Sequence, residues 1–180
     1  MRKIAILAIA FSLAPSLLSG CGFYMKGQRP TAESLQSVSV SYEQPYRVGD
    51  PPLVMALQNR LRAQDKLVTS NAQTRIHLSD IRNNAKVLSV SPIDGRVSEI
   101  ELVSAAEFNI NAEGEALLKN ESLSVRRAYS FDNTERLASE AEQDDLLAIM
   151  QSELADLILL RAETALARKS TSPDTQQPEE

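Results

Sequence analysis

An α/β (α+β) two-layer sandwich, a four-stranded mixed sheet with two helices packed on one face, is the fold this sequence predicts. Three observations carry it. Residues 96–118 alternate in hydrophobicity, with Ile100, Leu102, Ala106, Phe108, Ile110, Ala112, Ala116 and Leu118 on even positions and Glu99, Glu101, Glu107, Asn109, Asn111, Glu113 and Glu115 on odd ones. That period of two describes a sheet with one face in a core and one in water. An Asp94-Gly95 pair, the preferred dipeptide of a two-residue hairpin, joins this segment to a strand-like stretch before it. Two segments at helical spacing bracket the three later strands, and a helix layer on the apolar sheet face buries both amphipathic surfaces.

In chain order, Ser37 to Tyr42 alternates and reads as a short first strand. Gly49-Asp50-Pro51-Pro52 ends it. Asp50 suits an N-cap and Pro51 the first helical position. Leu53, Ala56, Leu57, Arg60 and Leu61 then recur at helical spacing to about Gln64. Thr74 to Ile110 is strand-like, interrupted at Asp94-Gly95. A two-residue turn there sets Ile81 opposite Phe108, Val87 opposite Leu102 and Arg82 opposite Glu107. Ile76 and Leu78 then fall out of phase, which a β-bulge near Ser79-Asp80 corrects. A second turn is expected at Lys119-Asn120, with Ser122 to Phe131 returning. It sets Phe131 against Phe108, Tyr129 against Ile110, Leu123 against Ala116 and Arg126 against Glu113, an opposite-charge pair. It also places Arg127 on the apolar face, opposite Ala112. Ser139 and Glu142 have capping-box spacing. A long helix follows to about Arg168, with the stripe Leu146, Leu147, Met150, Leu154, Leu157, Ile158, Arg161 and Ala165. A β-α-β opening implies that the first strand runs parallel to its neighbour.

The N-terminus is a processing signal and takes no part in this fold. Arg2 and Lys3 precede an apolar run, Ile4 to Leu13, of about ten residues, too short to cross a bilayer core as a helix. Leu18-Ser19-Gly20-Cys21 closes it and resembles the lipobox of bacterial lipoproteins. Cys21 is the sole cysteine and the expected site of a covalent diacylglycerol and an N-acyl chain, which together anchor a protein stably without a transmembrane helix. Gly22 rather than Asp after it favours the outer membrane, by resemblance to lipoprotein sorting rules. Acylation leaves no thiol for an internal disulfide, so the core alone holds the fold in an oxidising compartment. Residues 1–20 are therefore a signal peptide, 21–168 a single domain, and 169–180 a polar tail expected to be disordered.

The formal net charge is −5. Removing residues 1–20, which carry two cations and no acid, makes it more negative. An acidic chain without a basic run is a poor nucleic-acid binder, so no nucleic-acid partner is expected. No catalytic set is expected either. His77 is the lone histidine, and the serines lie in no nucleophile-elbow motif. The strand glutamates are read as a solvated face, in preference to paired acids or a calcium site. No metal site and no cofactor beyond the acyl chains is expected. Function then rests on surfaces and the anchor. Among the cations, Arg127 on the apolar face either snorkels to water or contacts an anion. Arg126, Arg96 and Lys86 add positive charge nearby.

The chain resembles the LptE (RlpB) family of lipopolysaccharide-assembly lipoproteins. The resemblance rests on Cys21-Gly22-Phe23-Tyr24-Met25-Lys26-Gly27, on Asp94-Gly95 followed by Ser98-Glu99, on Tyr129-Ser130-Phe131-Asp132-Asn133, and on Glu142-Gln143-Asp144 at the last helix. It implies a plug inside the LptD β-barrel, as a heterodimer at the outer membrane. The plug supports barrel assembly and delivery of lipopolysaccharide to the cell surface. It further implies lipopolysaccharide binding by basic residues near the sheet edge and the loop between the second and third strands. Here that loop, Pro92 to Arg96, has only Arg96 as a base, so Arg126 and Arg127, with Lys86, complete the candidate set. The residues by themselves also allow a second reading, an anchored periplasmic module that binds peptidoglycan or another envelope protein.

Overall fold

The computed structural model describes residues 35–42 and 49–171. Cys21, residues 1–20, expected to be a signal peptide, and residues 172–180 lie outside them. The elements are β1 (Val38–Tyr42), α1 (Pro52–Arg62), β2 (Thr74–Val90), β3 (Val97–Ala112), β4 (Glu115–Ser130) and α2 (Arg136–Thr171). They build one sheet in the order β1-β2-β3-β4. β1 runs parallel to β2, and the other neighbours are antiparallel. Both helices pack on one face, as the sequence predicts. The core lies between the layers, where Leu53, Leu57 and Leu61 of α1, Ile76, Leu78, Leu102, Phe108 and Ile110 of the sheet, and Met150, Leu154 and Ile158 of α2 are fully or almost fully buried.

α1 begins one residue later than expected. Pro51 is its N-cap, and the Asp50 carboxylate accepts from Gln58 Nε2 at 3.0 Å instead of capping the backbone. It ends at Arg62 because Asp65 turns into the left-handed region (φ +55°), so that Lys66 N–H closes on Leu61 O at 2.9 Å. Arg60 reaches across to Asp156 of α2 at 3.0 Å, which explains a charged residue on the inner stripe.

Both hairpin registers differ from expectation, and both turns explain why. The β2–β3 connection is the six-residue loop Ser91–Arg96, closed by Ser91 N–H to Arg96 O at 2.7 Å and Gly95 N–H to Ser91 O at 2.9 Å. Val87 therefore faces Ile100 and Ile81 faces Ala106, not Leu102 and Phe108. The expected bulge is present, with the register shifting between Leu78 and Asp80 so that Ile76 and Leu78 both point inward. The β3–β4 turn is Glu113-Gly114, not Lys119-Asn120. Both turn residues have positive φ, +54° and +87°, as a type I′ hairpin turn requires. The strands consequently pair Phe108 with Glu121, Ile100 with Tyr129, Ala106 with Leu123 and Val103 with Arg126. Lys119-Asn120 instead occupies an irregularity inside β4, where Asn120 (φ +51°) gives its N–H to Asn109 Oδ1 at 2.8 Å.

α2 starts three residues before the expected cap. Asp132 Oδ1 accepts from the N–H and the hydroxyl of Thr134, each at 2.7 Å, and organises the entry. Ser139, buried in the helix, accepts from Asp132 N–H at 3.2 Å. The helix runs past Arg168 to Thr171, so the first residues assigned to the tail are helical. At 1.5 Å per residue it is about 54 Å long.

Candidate interaction surfaces

The helices cover only part of the sheet. On the inner face of β2, Ile76 and Leu78 are buried, Ile81 is half-buried, and Asn83, Ala85 and Val87 are exposed. β1 pairs only with Thr74 to Leu78, so Asp80–Val90 also has no strand on its outer edge among the described residues. The β2–β3 hairpin thus projects past the core. At its end Val87, Leu88 and Val90 are about half exposed and Ile93 is 94% exposed. This apolar end escaped the sequence analysis, although the run Val87-Leu88-Ser89-Val90 followed by Ile93 carries the signal.

The outer sheet face is largely polar. Along β3 it presents Glu99, Glu101, Val103, Ala105, Glu107, Asn109 and Asn111, each half-buried by its neighbours. Arg82 binds both Asp80 and Glu107 there, and the expected Arg82–Glu107 contact forms, although Arg82 lies opposite Ala105. Lys86 lies directly opposite Glu101, and Arg126, 65% exposed, approaches the same carboxylate at 4.0 Å from the other side. Arg126 does not meet Glu113, because the turn lies six residues earlier than the sequence arithmetic assumed and, with the irregularity in β4, this sets Arg126 opposite Val103.

The four candidate cations do not converge on one site. Lys86 and Arg126 flank Glu101 on the outer face. Arg127 is on the inner face as expected, but opposite Leu102 rather than Ala112, and its guanidinium donates to Glu153 Oε2 of α2 at 2.6 Å. Arg96 sits in the hairpin loop, 3.4 Å from Asp94. Hydrogen bonds from Thr134 hold the Asp132 carboxyl below the usual carboxylate range, and the nearby Arg96 charge adds to this. Burial, then Glu142 and Glu140, push the Tyr129 hydroxyl above its ordinary value while it donates to Gln143 Oε1 at 3.0 Å.

Two interior polar contacts were also not foreseen. Gln151, almost fully buried, donates from Nε2 to Ser104 Oγ and Asn83 Oδ1, both at 2.7 Å, and its Oε1 has no protein partner. Arg161 pins α2 to Glu121 of β4. His77 Nδ1 is 3.0 Å from Ser41 Oγ across the β1–β2 pair. Among the described residues no cluster of His, Cys, Asp and Glu is able to hold a metal, and no helix is long and apolar enough to cross a membrane.

Comparison with known proteins agrees with this architecture. The family model LptE, Lipopolysaccharide-assembly, matches residues 35–162. The LPS-assembly lipoprotein LptE of Pectobacterium atrosepticum is 28% identical over 163 residues, covering 86% of this chain and 83% of that protein. That of Photorhabdus laumondii is 26% identical over 159 residues, covering 83% and 81%. The crystal structure of the rare lipoprotein B from Shewanella oneidensis superposes with a TM-score of 0.64 at 25% identity, over 75% of this chain and 99% of that one. The solution structure of lipoprotein B from Nitrosomonas europaea, at 22% identity, shares the fold with a TM-score of 0.59 over 88% and 99%. The chain belongs to the LptE family of lipopolysaccharide-assembly lipoproteins.

Proposed function

We propose that this protein is a non-enzymatic plug for the LptD β-barrel. Held at the outer membrane by acyl chains on Cys21, it supports barrel assembly and helps deliver lipopolysaccharide to the cell surface. The observation that carries this reading is the sheet itself. Three strands of 16 or 17 residues are about 54 Å long at 3.3 Å per residue, and they keep one polar face and one hairpin end clear of the helices. A barrel that leaves an aqueous channel has a polar interior, which suits a face of Glu, Asn and Ser far better than lipid does. In-cell photo-crosslinking tests this. A photoreactive side chain at Ala105, centred on the outer face, should capture a large barrel protein, whereas one at Leu160 on α2 should capture less. No adduct from any outer-face position would refute the plug.

Lipopolysaccharide contacts follow the cations that the fold leaves available. Arg127 is neutralised by Glu153 and Arg96 partly by Asp94. Lys86 and Arg126 stand on the open face, with Glu101 shared between them. Guanidinium and ammonium groups there suit phosphate oxygens. Changing both to Glu should weaken lipopolysaccharide binding about tenfold, a loss of two modest contacts, while Arg127→Gln should change it little. Equal affinity in the folded Lys86→Glu/Arg126→Glu variant would rule out this face as the site.

A further inference from the structure

α2 outruns the core that seats it. Ala162 is its last fully buried residue, and residues 163–171 are half-buried or exposed. A helix in a protein draws most of its stability from the packing of its apolar face, so these last turns are its least secured part. Within them Thr164 Oγ1 donates to Leu160 O at 2.8 Å, and Ser170 Oγ and Thr171 Oγ1 donate to Ala167 O at 2.9 and 2.8 Å. Bonds of this kind from a side chain to the preceding turn loosen a helix and favour bending.

The same segment lies over open space. A cavity of about 600 Å³ lies between Ala165 and Arg168 on one side and Ala116, Leu117 and Leu118 of β4 on the other. Another, of about 290 Å³, lies between Leu166 and the pair Thr74 and Ala112. Lys169 lines both and fastens the segment across the gap. Its Nζ is 3.0 Å from Glu113 Oε2 and 3.3 Å from Glu115 Oε2. The two carboxylates are held more firmly than the lysine. Glu113 N–H donates to Gln73 O at 2.9 Å, and Gln73 N–H donates to Ser37 Oγ at 3.0 Å. The turn that carries Glu113 is thereby tied to the starts of β2 and β1. An ion pair as exposed as this one biases an equilibrium by only about threefold, which closes the segment without fixing it.

We infer that residues 163–171 form a strap over this end of the sheet, which bends open at Thr164 and is latched shut by Lys169 on Glu113 and Glu115. Opening joins the two cavities and uncovers Thr74, Ala112 and Leu118. Residues 150–162 stay seated, with Arg161 paired to Glu121 just before the bend. The edge of the core beneath the strap is then reached only in the open state, on the microsecond-to-second scale of local unfolding. The device belongs to this chain alone and does not rest on the plug reading.

Hydrogen exchange of the full mature chain in detergent tests this. Lys169→Met keeps the aliphatic stem and removes the charge. It should speed exchange of the amides of residues 165–171 about threefold, while those of residues 150–162 keep their rates. Lys169→Arg keeps the charge and should exchange as the unaltered chain does. Unchanged exchange at residues 165–171 in Lys169→Met would overturn the latch, and so would equal acceleration by Lys169→Arg, which would assign the effect to shape. Equal acceleration through residues 150–162 would overturn the strap, since α2 would then open as one unit. Thiol labelling gives a second measurement. Ala112 lies under the strap and Ala106, equally buried, lies outside both cavities. Adding Lys169→Met should raise the labelling rate of Ala112→Cys about threefold and leave that of Ala106→Cys unchanged. A rise at both positions, or at neither, would reject the strap.

Discussion

Gly114 and Tyr129 show how single residues set this fold. Gly114 holds φ +87° in the β3–β4 turn, where a Cβ is strained even though nothing lies within 4 Å of it. Gly114→Ala should cost about 1–2 kcal/mol in denaturant unfolding. A cost near zero would mean that the turn relaxes elsewhere. Tyr129 is buried and its hydroxyl pKa is raised, by burial first and by Glu142 and Glu140 next. Because the folded value lies above the unfolded value of about 10, its stabilising contribution is present below pH 10 and is lost as pH rises through the folded value. Tyr129→Phe should therefore flatten the fall in melting temperature above pH 10, and an unchanged alkaline slope would assign that fall to other groups. The Glu113-Gly114 turn was legible in principle, since Glu-Gly supplies a glycine where positive φ is required. Asp94-Gly95 looked stronger and yet sits within a six-residue loop. A dipeptide specifies turn chemistry but not loop length.

At the scale of elements, facing residues were misassigned while inside and outside were read correctly. The period of a strand is two, so a register error by an even number of residues leaves every side chain on its proper face. That is why Ile100, Leu102, Phe108, Ile110, Tyr129 and Arg127 were placed on the right side with the wrong partners. The Ser79 bulge was legible because Ile76 and Leu78 fall out of phase without it. The Gln151 contact was not legible, because a lone glutamine in an apolar helix stripe carries no sign of its partner. It also makes an energetic test of how α2 is seated. Gln151→Leu leaves Ser104 Oγ buried without its partner and should cost about 1 kcal/mol. Adding Ser104→Ala should recover most of that loss, since both polar groups are then gone and the orphaned Oε1 with them. A double variant that is no more stable than the single would mean that Gln151 acts by shape alone. Phe108→Ala, at the centre of the same interface, should cost about 3–5 kcal/mol.

For the whole molecule, the division of labour runs along the sheet. The β1 and α1 end carries the compact core. The other end is an exposed hairpin with Ile93 at its loop, and between them lies the polar outer face of β3. Sequence periodicity revealed the layers, and the lipobox set the expectation of an anchor. That only Lys86 and Arg126 come together could not be read from it, because which bases flank Glu101 depends on register. The split of Arg126 from Arg127, one on the open face and one tied to Glu153, is a consequence of simple alternation once the register is known. The most direct measurement is a gentle extraction of the outer membrane with a C-terminal tag on this chain, and a denaturing gel of the eluate with and without heating. The account predicts a stoichiometric large partner whose migration changes on heating, as a β-barrel's does. A folded, acylated bait that brings down no such band would contradict the plug and leave the periplasmic binding module as the better description.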